Sequence, residues 1–374
     1  MTKFTAIQSA APLRLRQPLT ENHKRSDAYI PADGLVEAMD VAMLLGQPLL
    51  LTGDPGTGKT RAAYWLAGQL ECEPVLRYDV KSTSSGTDLL YQFDEVLRFR
   101  DSTRQKIEPL IRYLRFNALG EAILRAAGGD AVLATMTGEP LEGETLARQH
   151  STLVDAFGPD LAKGPITVGM LLPDDAGFAS AEPQHRVVLI DELDKAPRDT
   201  PNDLLAEIED MGFRIPELGI SVQASAAGFR PVVVITSNSE KSLPDPFLRR
   251  CAYFDIPFPR RYDKTRDKAW PGDGTLEQIV EGRLATFEGG GQALEQSLDL
   301  FQRLRGTNSG IRKAPGTAEL LAWLDAMVAR GHIGSRDDLK GNVETVETCL
   351  VAVLKNREDT DAARRIVREW SKAG

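Results

Sequence analysis

Cysteine is scarce in this 374-residue chain, and Cys72, Cys251 and Cys349 stand far apart. Three scattered thiols argue against a disulfide framework, and the four histidines show no ligand spacing that would suggest zinc. A reducing cytoplasm is the expected location. Long apolar runs are missing too: no stretch of about 18 apolar residues occurs, so membrane insertion is not expected. The N-terminal stretch over residues 1–28 lacks the apolar core of a secretory signal and reads as a polar arm. Positive charge is in deficit, with 45 Lys and Arg against 54 Asp and Glu. A net charge of −9 argues against a surface built throughout to grip nucleic acid, though it leaves room for local basic patches. The 42% hydrophobic share is that of a globular protein, and the length allows about two domains with real cores.

What the chain does contain is a succession of short apolar runs that end in polar residues. Residues 33–44 repeat apolar side chains at helical spacing, and Gly46-Gln47-Pro48 stops them. Leu49-Leu50-Leu51-Thr52 then has the length and character of a strand buried on both faces. A glycine-rich turn follows, and from Lys59 to Leu70 helical period returns, with Ala62, Ala63, Leu66 and Leu70 on one side. Two more strand-like runs are Arg186–Ile190, ending at Asp191-Glu192, and Pro231–Thr236, ending at Ser237-Asn238. Strands alternating with helices imply an α/β fold with a mostly parallel sheet flanked by helices. In such a sheet ligands lie beyond the carboxyl ends of the strands, where all three runs terminate. After Pro257-Phe258-Pro259 the composition turns helical, with the clearest segments at 318–324 and 342–354. The expected organisation is an α/β domain over residues 29–259 and a small helical domain over 260–374. More than a hundred residues separate the glycine-rich turn from the Asp191 strand, so a long insertion is expected around 98–183. Within it, residues 107–124 read as helix.

Gly53-Asp54-Pro55-Gly56-Thr57-Gly58-Lys59-Thr60 matches G-x-x-x-x-G-K-[ST] without deviation. Glycines let the backbone wrap a phosphate with N–H groups turned inward, and the helix N-terminus behind them favours an anion. Lys59 is expected on the β and γ phosphates of ATP, and the Thr60 hydroxyl on Mg²⁺. Arg61, next along, belongs to the same nucleotide-binding segment. Asp191 is expected to hold the Mg²⁺ through its water shell, and Glu192 to orient and polarise the attacking water. Asn238, after the next strand, can hold that water against the γ-phosphate. In Leu243–Arg250, Arg249 and Arg250 follow a helix-like turn. If subunits form a ring, an arginine there can reach a neighbour's site, where such a group is worth roughly 10³–10⁵ in rate.

These segments, in this order, resemble the AAA+ ATPases and more narrowly their MoxR group. Gly53–Thr60 is similar to Walker A, Val187–Glu192 to Walker B, and Asn238 to sensor 1. The resemblance implies an AAA+ P-loop NTPase core and puts the arginine finger at Arg250. Arg249 stands where the group has Asp and Cys251 where it has Phe, so both arginines remain candidates. Lys163-Gly164-Pro165 is similar to the K-G-P motif before Walker B, residues 208–216 to the start of the pre-sensor-1 hairpin, and residues 82–93 with the segment after them to the helix-2 insert. Residues 311–315 resemble the sensor 2 segment, with Arg312 favoured over Lys313 for the γ-phosphate.

By this resemblance the chain is an ATPase acting as a homo-oligomer, a hexamer, that remodels or matures a protein client. In the MoxR group that client often carries a von Willebrand factor A domain. Two alternatives stand beside it. One is a nucleic-acid motor of McrB type, motivated by Arg98, Arg100, Arg104, Lys106, Arg112 and Arg115 interleaved with Phe99, Tyr113 and Phe116. The other is a nucleotide-gated switch in a bacterial defence or signalling assembly.

Overall fold

The computed structural model describes residues 7–8, 14–15, 29–106, 108–158, 164–175, 177–224, 228–238, 243–261, 275–330 and 333–372. The chain divides into two compact units. One comprises Glu37–Thr52 and Ala63–Asp255, the other Met1–Val36, Gly53–Ala62 and Ile256–Gly374.

The first unit is built on a five-stranded, all-parallel sheet. Its strands are β1 (Leu49–Thr52), β2 (Leu76–Asp79), β6 (Val187–Asp191), β9 (Val232–Thr236) and β10 (Ala252–Asp255), in the spatial order β10-β1-β9-β6-β2. The three central strands are almost continuously apolar because both sheet faces are covered. Leu50, Val188, Ile190, Val233 and Ile235 enter one core, and their neighbours Leu49, Leu51, Val187, Leu189 and Val234 are equally buried on the other face. The edge strands β2 and β10 instead alternate half-buried with exposed residues. α1 (Leu35–Leu45) leads into β1, and α2 (Lys59–Gln69) follows the glycine turn. α2 buries Ala62, Ala63, Leu66 and Ala67; Leu70 lies one residue past its end and is exposed.

The insertion is a small α/β assembly rather than the continuous helix expected over 107–124. Strand β3 (Tyr91–Phe93) pairs antiparallel with β4 (Leu114–Phe116), and α3 (Glu95–Thr103) lies between them in sequence. Pro109 precedes a 3₁₀ turn over Leu110–Tyr113, and helix resumes only at α4 (Ala118–Ala127). The reason is tertiary. Tyr91 and Phe116, which are cross-strand partners, cluster with Phe213, and this packing outweighs local helix preference. α4 is almost wholly buried and packs on β2 and β6. Its Gly120 lies against the chain at Leu90, where a Cβ would stand 2.0 Å from the Leu90 carbonyl oxygen.

After β4 come β5 (Ala134–Thr135) and α5 (Gly143–Phe157); α6 (Thr200–Asp210) follows β6. The segment after α6 forms the expected hairpin, β7 (Gly212–Ile215) against β8 (Ile220–Gln223). β5, from the insertion, pairs with β8, so insertion and hairpin share one three-stranded sheet.

The second unit contains a helical assembly: α8 (Leu276–Glu281), α9 (Gln292–Arg305), α10 (Thr317–Ala329), α11 (Val343–Cys349) and α12 (Arg357–Lys372). Trp323, Trp370, Phe301 and Phe287 are fully buried at its centre. Among the described residues no helix is long and apolar enough to cross a membrane.

Candidate functional site

The carboxyl edge of the sheet gathers the polar ends of its strands. Asp191 closes β6 and is only 5% exposed. Its Oδ1 accepts a 2.6 Å hydrogen bond from the Thr236 hydroxyl at the end of β9. The same hydroxyl oxygen accepts the Glu192 backbone N–H at 2.8 Å. Thr236 therefore fixes both residues of the acidic pair, although it stands 45 positions from Asp191. The other Asp191 oxygen, Oδ2, pairs with Arg77 of β2 at 2.9 Å. On the next strand but one, the Thr52 hydroxyl donates to Asp255 Oδ1 at 2.8 Å, joining the ends of β1 and β10.

Glu192 adopts φ 60° and ψ 51°, a left-handed conformation that costs a non-glycine residue about 1–3 kcal/mol. The hydrogen bond from its N–H to Thr236 helps hold that turn, which carries the side chain out of the strand direction. Its carboxylate pairs with Lys195, one turn of 3₁₀ helix further on, and that hydrogen bond raises the Lys195 pKa. Asn238 comes to the same turn from β9: its N–H and Nδ2 face the Asp194 carboxylate at 3.2 and 3.4 Å. The strand ends thus bring Asp191, Glu192, Thr236 and Asn238 together.

The glycine turn, in the other unit, is a wrapped loop. Gly53, Gly56 and Gly58 all have positive φ. A Cβ at Gly53 would stand 2.5 Å from the Ile256 carbonyl oxygen, so that position needs glycine for space as well as for φ; one at Gly56 would stand 3.1 Å from Gly316 Cα and Thr317 N, a tight contact added to its positive φ. The Thr57 hydroxyl donates to the Asp54 carbonyl at 3.0 Å. Lys59, which opens α2, folds its ammonium onto the loop's own carbonyls, Gly53 at 2.7 Å and Asp54 at 3.1 Å. Thr60 and Arg61 continue the first turn of α2, half-buried. Pro55 is exposed beside Gly316, whose Cβ would stand 2.6 Å from the Pro55 carbonyl oxygen. Tyr29 lies against Gly58; burial raises its hydroxyl pKa, and the nearby Arg61 charge opposes the rise.

Arg305 of α9 escaped the sequence reading. Its guanidinium stacks 3.4 Å from the Phe258 ring centroid, donates to the Pro315 carbonyl and meets Asp54 Oδ2 at 3.3 Å. The expected sensor 2 segment lies nearby in sequence. The Arg312 side chain pairs with Glu358 at 2.8 Å at the surface, and its N–H donates to Asp359 at 2.9 Å. The Lys313 N–H also faces Asp359, at 3.4 Å. Just after this stretch, Gly316 and Thr317 meet the glycine turn.

Arg249 and Arg250 follow α7 (Asp245–Leu248) and are both exposed. Arg250 Nε pairs with Glu209 of α6 at 2.6 Å, a half-exposed contact of little energetic weight. In the insertion, Arg98, Arg100, Arg104 and Phe99 are exposed on or just after α3, whereas Tyr113 is buried and Phe116 packs inward. The basic and aromatic residues of that run therefore part company: the charges face solvent while two of the three rings serve the core. Lys163 lies outside the described residues.

No protein-family model matches the chain, and no curated protein matches it. Among solved structures it is similar to two variants of RuvB from Thermotoga maritima. One is 13% identical over 90% of this chain and 74% of that one, with a TM-score of 0.42. The other is 14% identical over 90% and 75%, with a TM-score of 0.41.

Proposed function

We propose that the chain binds Mg·ATP on the Gly53–Thr60 turn and hydrolyses it as a ring-forming AAA+ ATPase of MoxR type. In this reading turnover drives remodelling of a protein client, of which a von Willebrand factor A domain protein is one candidate. The observation that carries the proposal is the pair of arrangements described above. A loop with three left-handed glycines carries a lysine ammonium folded over it, and it leaves directly from β1. On the same sheet, the strand ends present Asp191 and Glu192 fixed by one threonine hydroxyl.

The residues fit the ligand they would hold. Backbone N–H groups of the turn and the Lys59 ammonium suit the phosphates. The Thr60 hydroxyl and the Asp191 carboxylate are hard oxygen donors of the kind magnesium takes. Bound there, the ion would neutralise charge on the transferring phosphoryl group. Glu192 is the general base, and Lys195 must release its carboxylate before it accepts a proton. Asn238 orients the water. Arg250 or Arg249, supplied by a neighbouring subunit, is the finger, and release of Glu209 would free Arg250 for that task. Arg312 is the proposed sensor 2 residue.

The test is Glu192→Gln. The variant is expected to bind Mg·ATP and assemble, with turnover reduced at least about 100-fold. Calorimetry that registers no nucleotide binding by folded wild-type protein, or steady-state hydrolysis by Glu192→Gln at the wild-type rate, would remove the proposal.

A further inference from the structure

Asp191 is a buried carboxylate, and a buried charge needs a counter-charge. Arg77 supplies one. The register of β2 on β6 places Asp79 beside Asp191 and Arg77 beside Leu189. Alternation along the strands then puts Arg77, Asp79 and Asp191 on one face. The Arg77 guanidinium donates to Asp79 Oδ1 from Nε at 2.8 Å and from Nη2 at 2.6 Å, while the same Nη2 reaches Asp191 Oδ2 at 2.9 Å. The two acceptors are unlike: the Asp79 side chain is 65% exposed and that of Asp191 only 7%.

We propose that Arg77 is an internal counter-ion that occupies Asp191 in the absence of magnesium and yields the carboxylate by withdrawing onto Asp79. The inference rests on the Mg·ATP reading above and deepens it. A metal held by Asp191 and the Arg77 charge compete for one carboxylate, and the two repel each other at short range. Withdrawal needs no new partner, because Asp79 already receives both Nε and Nη2. Asp191 therefore has a cation beside it at every stage, and the position of Arg77 reports whether the metal is bound.

The experiment titrates magnesium into the full-length chain with a fluorescent ATP analogue and reads the half-saturating magnesium concentration for nucleotide binding. Arg77→Met is expected to lower that concentration by about fivefold to tenfold and to weaken metal-free nucleotide binding by a similar factor, since the Arg77 counter-charge is then missing. Arg77→Lys, which keeps the charge, is expected to stay near wild type. Asp79→Asn removes the retreat and is expected to raise the half-saturating concentration. Opposite shifts from two variants of one ion-pair cluster are not what a purely structural role gives. That role predicts lower melting temperatures in both with an unchanged magnesium dependence, and such a result overturns the inference while leaving the Mg·ATP reading intact. A wild-type chain that binds nucleotide with no magnesium dependence overturns both.

Discussion

Replacing Thr236 by valine tests the arrangement at the strand ends with almost no change in side-chain shape. Thr236 is 1% exposed, so what valine removes is not replaced by water. Two hydrogen bonds are lost. The one to the Asp191 carboxylate, 2.6 Å, is charge-assisted and worth about 1.5–3 kcal/mol; the one from the Glu192 N–H, 2.8 Å, is worth about 1 kcal/mol. Burying a methyl group in place of the hydroxyl returns about 1 kcal/mol, which leaves a net loss of about 1.5–3 kcal/mol. The unfolding entropy scaled to a chain of 374 residues gives about 1–2 °C per kcal/mol, so the melting temperature should fall by about 2–5 °C. The functional loss should be larger than the stability loss. Without its tether, Glu192 has less to hold its left-handed turn, and displacing this proposed base should cost about 100-fold or more in turnover. Thermal unfolding by circular dichroism and steady-state phosphate release measure the two effects, with Thr236→Ser as the variant that keeps both hydrogen bonds. If Thr236→Val melts within about 1 °C of wild type and turns over normally, the hydroxyl does not organise the acidic pair.

Gly56→Ala should abolish nucleotide binding measured by calorimetry and lower the melting temperature, because φ 84° and the Gly316 backbone 3.1 Å from the new Cβ both oppose it. Asp359 should give the chain an acid-sensitive contact. Backbone donation from Arg312, together with Asn356 and Lys313, holds its pKa below the ordinary aspartate value. Its contribution is therefore complete above that value and is lost as pH falls through the lower, folded one. Melting curves taken from pH 7 to pH 3 should show wild type losing this increment at the acid end, and Asp359→Asn, already lacking it, changing less over the same range.

The glycine turn and the three central strands could be read from the chain because each is local. Gly53–Thr60 needs only its own φ angles and spacing to be recognised. Strands buried on both faces carry unbroken apolar runs that stop at the polar edge, as Leu49–Thr52, Val187–Asp191 and Val232–Thr236 do. The helical stretches after residue 275 follow from the same periodic logic. What supports the functional residues was settled only by folding. Thr236 looks like the polar end of a strand until the parallel register sets β9 beside β6. Arg77 and Asp79 look like surface charges until β2 aligns Asp79 with Asp191. Arg305 has no motif at all, yet it meets Asp54 across 251 residues of sequence. The break at residues 109–116 has the same origin, since the aromatic contacts of Tyr91, Phe116 and Phe213 make a strand where local preference favoured a helix. Backbone preference and apolar period act over a few residues and can be read along the chain; ion pairs, shared hydroxyls and ring contacts act through space and exist only once distant segments have been brought together.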